Sequence, residues 1–211
     1  MPITDPAAAH PLLAKLPAGT LDRLRIYAGL LRKWQRVVNL VGSLSLDEVW
    51  IRHIADSLQV SDAVPDARNW LDLGSGAGLP GLVTAIKYAD DPRARVHLVE
   101  SGRRKCAFLQ TAARATGAPA IVHCGRIEDI VGALNEGIEA VSARALAPLA
   151  KLIAYAARFL DQGAIGIFPK GKHFEAELTP SLTAGKYLIT TIASQTDPEG
   201  RLIVVRRPPA V

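Results

Sequence analysis

The chain has 211 residues, 49% hydrophobic and 21% charged, with a formal net charge of +5 and a pI of about 9.4. This length fits one α/β domain with a small extension, or at most two domains, burying roughly 70–75% of the unfolded surface without a disulfide or metal staple. No apolar run approaches a membrane span and Met1–His10 is no secretory leader, so a cytoplasmic protein without a membrane partner is expected; the basic charge suits a polyanion without specifying one.

Residues 1–18 carry Pro2, Pro6, Pro11 and Pro17 and read as loose or partly helical. Thr20 is a candidate N-cap with Asp22 in the first turn. Leu21, Leu24, Tyr27, Leu31, Trp34 and Val38 then recur at helical spacing. Arg25, Arg32, Lys33 and Arg36 fall on the other side, either as a solvated face or as a footprint for RNA phosphates. Asn39–Ser43 breaks this helix, and Ser45-x-x-Glu48 is a capping-box signature for the next. That helix places Trp50, Ile51, Ile54 and Leu58 on its apolar face and Arg52, His53, Asp56 and Ser57 on the other, with Arg52 and Asp56 spaced to pair. Val64-Pro65-Asp66 marks the boundary between an N-terminal helical extension, residues 1–65, and an α/β domain, residues 66–211.

The segment 69–81, Asn-Trp-Leu-Asp-Leu-Gly-Ser-Gly-Ala-Gly-Leu-Pro-Gly, reads as a buried strand, a glycine turn and a helix start, with Pro80 as the first helical residue. Such a unit is where open α/β sheets bind nucleotides. Two fingerprints overlap in it. Gly76-x-Gly78-x-x-Gly81 matches the dinucleotide motif, which seats a pyrophosphate on a helix N-terminus and would make the chain an NAD-type oxidoreductase. Asp72-x-Gly74-x-Gly76-x-Gly78 instead resembles the first motif of class I S-adenosylmethionine (SAM) methyltransferases. A carboxylate at the strand end repels a pyrophosphate and suits a ligand carrying an ammonium and a sulfonium.

Beyond the turn, strands are predicted at Arg95–Val99 (ending at Glu100), Ala120–His123, Ala140–Ala143 and Ala164–Phe168. Helices are predicted at 102–116, after Gly125-Arg126-Ile127-Glu128, at Pro148–Leu160 and over 173–184. Tyr187–Ala193 and Arg201–Arg206 form two last strands around the turn signal Asp197-Pro198-Glu199-Gly200. Five βα repeats and a hairpin predict a Rossmann-like, seven-stranded, mostly parallel sheet with an N-terminal helical cap, the class I SAM-dependent methyltransferase pattern. Cys106 and Cys124 have no metal-ligand spacing and read as small packed apolar residues.

Taken together, Asn39-Leu40, the stretch Trp50–Leu58, the stretch Leu71–Gly81, Arg126-Ile127-Glu128, Ser142–Ala145 and Pro169-Lys170-Gly171 resemble, in order, the bacterial 16S rRNA guanine-N7 methyltransferases of the RsmG (GidB) type. Ser142-Ala143-Arg144 stands where that family has a Ser-Arg pair. The resemblance implies SAM as methyl donor and the guanine of the 530 loop of 16S rRNA, free or in the small ribosomal subunit, as target; a monomer without a metal is expected. It implies that Gly74, Leu79, Ile127, Glu128 and Arg144 contact SAM. Asp72, Gly76 and Gly78 of the turn belong to the same cofactor set, and Glu100 is placed to accept the ribose hydroxyls. Glu128 and Arg144 could otherwise form a surface ion pair. His53, Asp56 and Lys170 are candidates for holding the guanine or its phosphate. Arg103, Arg104, Lys170, Lys172, Arg206 and Arg207 join the basic helix as RNA-binding candidates.

The chain lacks an (Asp/Asn)-Pro-Pro-aromatic motif after the fourth strand, which marks adenine amine methylation, and lacks a Cys in that loop, which cytosine C5 chemistry needs. Guanine N7 needs neither, because its in-plane lone pair is nucleophilic and carries no proton. No general base is assigned. A SAM-binding, RNA-associated protein without turnover is the other reading of the same residues.

Overall fold

The computed structural model of the chain describes residues 9–42, 48–134, 137–179 and 185–208. The N-terminal region contains α1 (Pro11–Ala14), α2 (Ala18–Gln35), and a π-helical segment (Val49–Ala55) that runs straight into α3 (Asp56–Asp62). The rest alternates: β1 (Asn69–Leu73), α4 (Gly81–Lys87), β2 (Arg95–Glu100), α5 (Arg103–Thr116), β3 (Ala120–Cys124), α6 (Ile127–Ala133), β4 (Ala140–Ser142), α7 (Leu149–Asp161), β5 (Ile165–Lys170), a 3-10 turn (Phe174–Glu177), β6 (Leu188–Ala193) and β7 (Arg201–Arg206).

The seven strands lie in the order β3-β2-β1-β4-β5-β7-β6. All neighbours are parallel except β5–β7 and β7–β6. β1 is therefore flanked by β2 on one side and β4 on the other, which puts the point where strand order reverses at its C-terminal end. Open α/β sheets bind ligands in the crevice outside such a point.

Side-chain alternation along β1 divides the core. Trp70 packs into one apolar cluster with Leu24, Tyr27, Ile54, Leu58, Leu82 and Phe108, while Leu71 and Leu73 pack on the other face with Val141, Phe159 and Phe168. The N-terminal helices thus share their core with the first face of the sheet. Tyr27, fully buried, donates its hydroxyl to the carbonyl of Ala77 at 2.8 Å, and so ties α2 to the glycine turn. Trp34 and Phe108 meet edge-on at 5.8 Å between ring centroids, holding α2 against α5.

Several local expectations are corrected. α2 begins after Pro17, whose extended backbone places its carbonyl to accept from Leu21 N at 3.1 Å; Thr20 is buried inside the first turn and is no cap. Pro80 is the N-cap of α4, which starts at Gly81. In the π-helical segment the wider turn rotates the faces. His53 and Ser57 become buried, whereas Ile51 is 37% exposed. Glu48 precedes that segment and makes no side-chain cap; Ser45 lies outside the described residues. The helix expected over 173–184 is a 3-10 turn at Phe174–Glu177, and residues 180–184 lie outside the described set. β5 runs on through Pro169 and Lys170 because β7 pairs with it to that point, Lys170 opposite Arg201. Cys106 is buried as expected, but Cys124, at the end of the outermost strand β3, is exposed.

Candidate functional site

The glycine turn after β1 is set by sterics. Gly74, Gly76 and Gly78 all have positive φ (65°, 55° and 89°), a region that side chains with a Cβ rarely adopt. A Cβ on Gly74 would sit 2.6 Å from Leu146 Cδ1, and one on Gly81 would sit 2.5 Å from both Asp72 Cβ and Leu98 Cδ2. Gly81 therefore lets α4 lie close against β1 and β2. Gly78 has the same kind of role, since its Cβ would meet Leu82 Cβ at 2.6 Å.

Two cavities open beside this turn. The smaller, of about 350 Å³, is lined by Gly74, Gly76, Glu100, Ile127, Glu128 and Tyr155 among others. The wider, of about 1160 Å³, lies between the glycine turn, the π-helical segment and the β6–β7 loop; Leu79, His53, Asp56, Arg144 and Glu199 are on its walls. Gly74, Gly76, Lys105 and Ala145 line both. Glu100 braces the rim of the smaller cavity. Its Oε2 accepts from Gly76 N at 2.9 Å and its Oε1 from Gly102 N at 2.7 Å, and each carboxylate oxygen keeps another lone pair. Glu128 accepts from Tyr155 OH at 2.9 Å; its own backbone N–H first, and this hydrogen bond second, hold its carboxyl below the usual range.

Asp72 does not line either cavity. It is 1% exposed beneath the turn, where Oδ1 accepts from Ser142 Oγ at 2.7 Å across the β1–β4 register. Burial raises its pKa to about 6 against the opposing hydrogen bond from Ser142. Its carboxylate thus supports the turn from below and is separated from the cavities by the glycines. Gly78 likewise packs and does not line them.

Arg144 and Asp56 come together across 88 positions of the chain. Arg144 Nη1 donates to Asp56 Oδ2 at 2.8 Å and to the carbonyl of Arg52 at 3.1 Å, while Nη2 lies 3.1 Å from His53 Nδ1. The Arg52–Asp56 pair expected from spacing is replaced. Arg52 faces outward to Glu48 at 3.2 Å, and Asp56 turns to Arg144 because the π winding directs it towards the sheet. Nor do Glu128 and Arg144 pair; Arg126 lies 3.8 Å from Glu128. Asp56 Oδ1 also accepts from Gln59 Nε2 and Thr196 Oγ1, each at 2.8 Å, and Gln195 N donates to Gln59 Oε1 at 2.9 Å. This network moors the β6–β7 loop to α3. Gln59, Ser194 and Thr196 were not predicted; nothing in their local spacing brings positions 59 and 196 together.

His53 is buried beside that arginine. Burial first, and the Arg144 charge second, lower its pKa to about 4, so the ring is neutral at physiological pH and Nδ1 can accept from the guanidinium. The unfolded chain binds this proton near pH 6.5 and the folded one only near 4, so the His53 contribution to stability is complete above pH 6.5 and is lost as the pH falls towards 4. A His53→Asn variant lacks that loss. Urea midpoints at pH 7.5, 5.5 and 4.5 should show the variant gaining on the wild type as the pH drops; a constant difference would contradict the shifted histidine.

Lys170 is committed elsewhere. Its Nζ donates to Glu177 Oε2 at 2.7 Å and to the Ala147 carbonyl at 2.9 Å, and the same Glu177 oxygen accepts from Leu149 N at the start of α7. It lines a third cavity, of about 260 Å³, with Asp56 and Arg144.

The basic candidates divide by strand direction. Arg103 and Arg104, exposed, follow the C-terminal end of β2, and exposed Lys172 follows that of β5, all on the cavity side. Arg32, Lys33 and Arg36 stand at the end of α2 that leads into the cavity-lining Leu40–Gly42. Arg206 and Arg207 lie at the opposite end of the sheet, since β7 is antiparallel, and Arg207 donates to the Asp161 carbonyl at 3.0 Å. Arg25, in the first half of α2, pairs with Asp22 at 2.6 Å. Among the described residues, no helix is long and apolar enough to cross a membrane.

Comparison with known proteins places this geometry. The sequence model of the family described as "GidB: rRNA small subunit methyltransferase G" matches residues 20–190. A ribosomal RNA small subunit methyltransferase G of Methylobacterium sp. (strain 4-46) is 50% identical over 185 residues, 87% of each chain. One from Parvibaculum lavamentivorans is 48% identical over 195 residues, 92% of this chain and 86% of that one. Among solved structures, a methyltransferase from Geobacter sulfurreducens aligns over 99% of both chains at 14% identity and a TM-score of 0.59. The O-methyltransferase TomG from Streptomyces achromogenes, solved with SAM, aligns over 92% of both at 15% identity and a TM-score of 0.59. At such identities these structures speak for the fold: a class I, Rossmann-like methyltransferase sheet.

Proposed function

Because the chain belongs to the rRNA small subunit methyltransferase G (GidB) family, we propose that it transfers a methyl group from SAM to N7 of a guanine in the 530 loop of 16S rRNA. The observation that carries this reading is the junction of two cavities at Gly74, Gly76, Lys105 and Ala145. The smaller cavity takes the adenosyl part of the donor, and the base enters from the wider one.

The residues present fit SAM. The bare glycine backbone of Gly74 and Gly76 forms the floor on which no Cβ stands. Glu100 lines the smaller cavity with lone pairs for ribose hydroxyls, Ile127 covers the adenine face, and Glu128 addresses its edge. Leu79 and Arg144, on the wider cavity beside the turn, serve the methionine part, Arg144 through the two N–H groups that Asp56, the Arg52 carbonyl and His53 leave over. When bound, SAM supplies an electrophilic methyl on a sulfonium.

What this chain's own residues contribute is placement. N7 has no proton to lose, so no side chain is required as a base, and holding two reactants in line contributes on the order of 7–11 kcal/mol. His53, neutral and packed against Arg144, holds the wall of the wide cavity and does not shuttle protons. Asp56 holds Arg144; Lys170 braces the loop after β4 through Ala147. The buried carboxylate of Asp72 sits under the turn, where its charge favours the cationic donor at short range. The base must leave its stack to reach this junction, so a loop or flipped nucleotide is the target.

The helical extension supplies Leu40–Gly42, Arg52, His53 and Asp56 to the RNA-side wall of the wide cavity, and the α/β domain holds the donor. The protein acts in the cytoplasm, as a monomer, on 16S rRNA or the small subunit. Arg103, Arg104, Lys172 and the Arg32–Arg36 end of α2 lie on the cavity side of the molecule and carry the phosphate contacts. Removing Arg103 and Arg104 should flatten the log-log salt dependence of rRNA affinity by about one unit per lost contact. Arg206→Ala with Arg207→Ala should leave it unchanged. Equal effects from both pairs, read by filter binding across a salt series, would remove the footprint from the rim.

Mass mapping of rRNA from small subunits incubated with the protein and labelled SAM tests the activity itself. One methylated guanine in the 530 loop is expected. Donor binding without label in RNA would favour a SAM-binding protein without turnover.

A further inference from the structure

The 260 Å³ cavity between the end of β5 and the β6–β7 loop is distinct from the donor cavity and from the wide cleft, but shares wall residues with each. Ala145 lines all three cavities. It is also, among the described residues, the one non-glycine residue at positive φ (53°), a strained backbone of the kind that clusters where ligands are clamped. Asp56, Arg144, Ala145 and Asp197 line both this cavity and the wide cleft, so a base that enters the cleft and turns past Ala145 reaches it.

The polar groups around this cavity are nearly all engaged. Asp56 is held by Arg144, Gln59 and Thr196; Lys170 is held by Glu177 and the Ala147 carbonyl. Asp197 differs. It is exposed at the cavity edge, and its Oδ1 accepts from Glu199 N at 3.0 Å, which leaves the other carboxylate oxygen to solvent or to a ligand. The loop that presents it is already ordered, by Thr196 Oγ1 on Asp56 and by Asp197 N on Ser194 Oγ at 3.2 Å.

We propose that Asp197 determines guanine specificity by accepting hydrogen bonds from N1–H and the 2-amino group of a base seated in the 260 Å³ cavity. This rests on the methyl-transfer reading above. The common arginine fork onto guanine O6 and N7 would cover the very atom to be methylated. A carboxylate is acceptor-only, so it must take the opposite edge, leaving N7 open towards Ala145 and the donor. Adenine presents an acceptor at N1 and is repelled by the same group. As N7 takes the methyl group the ring becomes cationic, and a carboxylate on its far edge is matched to that charge.

The test uses Asp197→Asn, which keeps an acceptor for Glu199 N and so keeps the turn. Single-turnover methylation of small subunits lacking the modification is measured with SAM affinity, subunit affinity and thermal midpoint. The rate should fall about 10- to 100-fold, with SAM affinity and midpoint unchanged. Plain electrostatics predicts the reverse sign: one negative charge fewer beside RNA would tighten subunit binding and leave the rate intact. A rate within about twofold of the wild type overturns the proposal. If the variant is less stable, the substrate decides. Subunits carrying inosine at the target lack the 2-amino group and should slow the wild type by about tenfold but slow Asp197→Asn no further. Equal wild-type rates on guanine and inosine overturn the proposal. No transfer by the wild type to either would sink the methyl-transfer reading, and the proposal with it.

Discussion

Gly74→Val is expected to abolish SAM binding while the N-terminal helices stay folded. At φ +65° a β-branched residue is a backbone outlier, and its Cβ would begin 2.6 Å from Leu146 Cδ1. Leu146 lines the donor cavity, so any shift that relieves the clash moves a wall of it, and the valine methyls fill what remains. The left-handed backbone costs about 1–2 kcal/mol and overpacking about 1–3 kcal/mol, less than the roughly 5–15 kcal/mol that stabilises a domain. Folding should therefore survive, with far-UV circular dichroism close to that of the wild type. Calorimetry should show SAM affinity reduced by more than about 100-fold, since the donor loses its floor. Retained affinity in a folded variant would place the donor elsewhere.

The second large effect is expected at Arg144. Its guanidinium touches Asp56, His53 and the Arg52 carbonyl, and the Arg144 and Asp56 side chains are 19% and 17% exposed. Arg144→Ala leaves a mostly buried carboxylate without its cation, a loss of about 3 kcal/mol. It also unfastens the π-helical segment from the loop after β4, the two walls between which the base must be aligned. Methyl transfer should fall by at least about 100-fold, because misplacement by 1 Å alone can do this. Arg144→Lys should not restore it, as a single ammonium cannot bridge three groups in the geometry of a planar fork. A cycle with Asp56→Ala in urea denaturation should show coupling of about 0.5–3 kcal/mol. Additive losses would mean the ion pair is incidental.

The glycine turn illustrates what was legible. Gly74 and Gly76 are constrained within a single strand–turn–helix unit, so their identity and spacing alone disclose a tight turn with a bare, left-handed backbone. Glu100 follows from the same logic, one strand later. Asp72 shows the limit. As a carboxylate beside the glycines it reads as a cofactor contact, yet side-chain alternation along β1 points it at Ser142 and the underside of α4. Lys170 and Arg207 look like free cations in the sequence; Glu177 and the Asp161 carbonyl engage them in the fold.

The chain order of its apolar runs and glycines was enough to determine a seven-stranded sheet with a glycine turn after its first strand, because these depend on local periodicity and on sterics within a few residues; the family was legible in the resemblance of several short motifs taken in order. Which charges meet was decided only by the tertiary structure. A π turn at Val49–Ala55 rotates Asp56 towards Arg144, 88 positions away, and the β6–β7 hairpin, whose loop falls at the end of β5, brings Thr196 and Asp197 to the same wall. Electrostatic partners are selected by distance in space, and a helix with a widened turn or a strand running backwards changes that distance without leaving a local pattern to read.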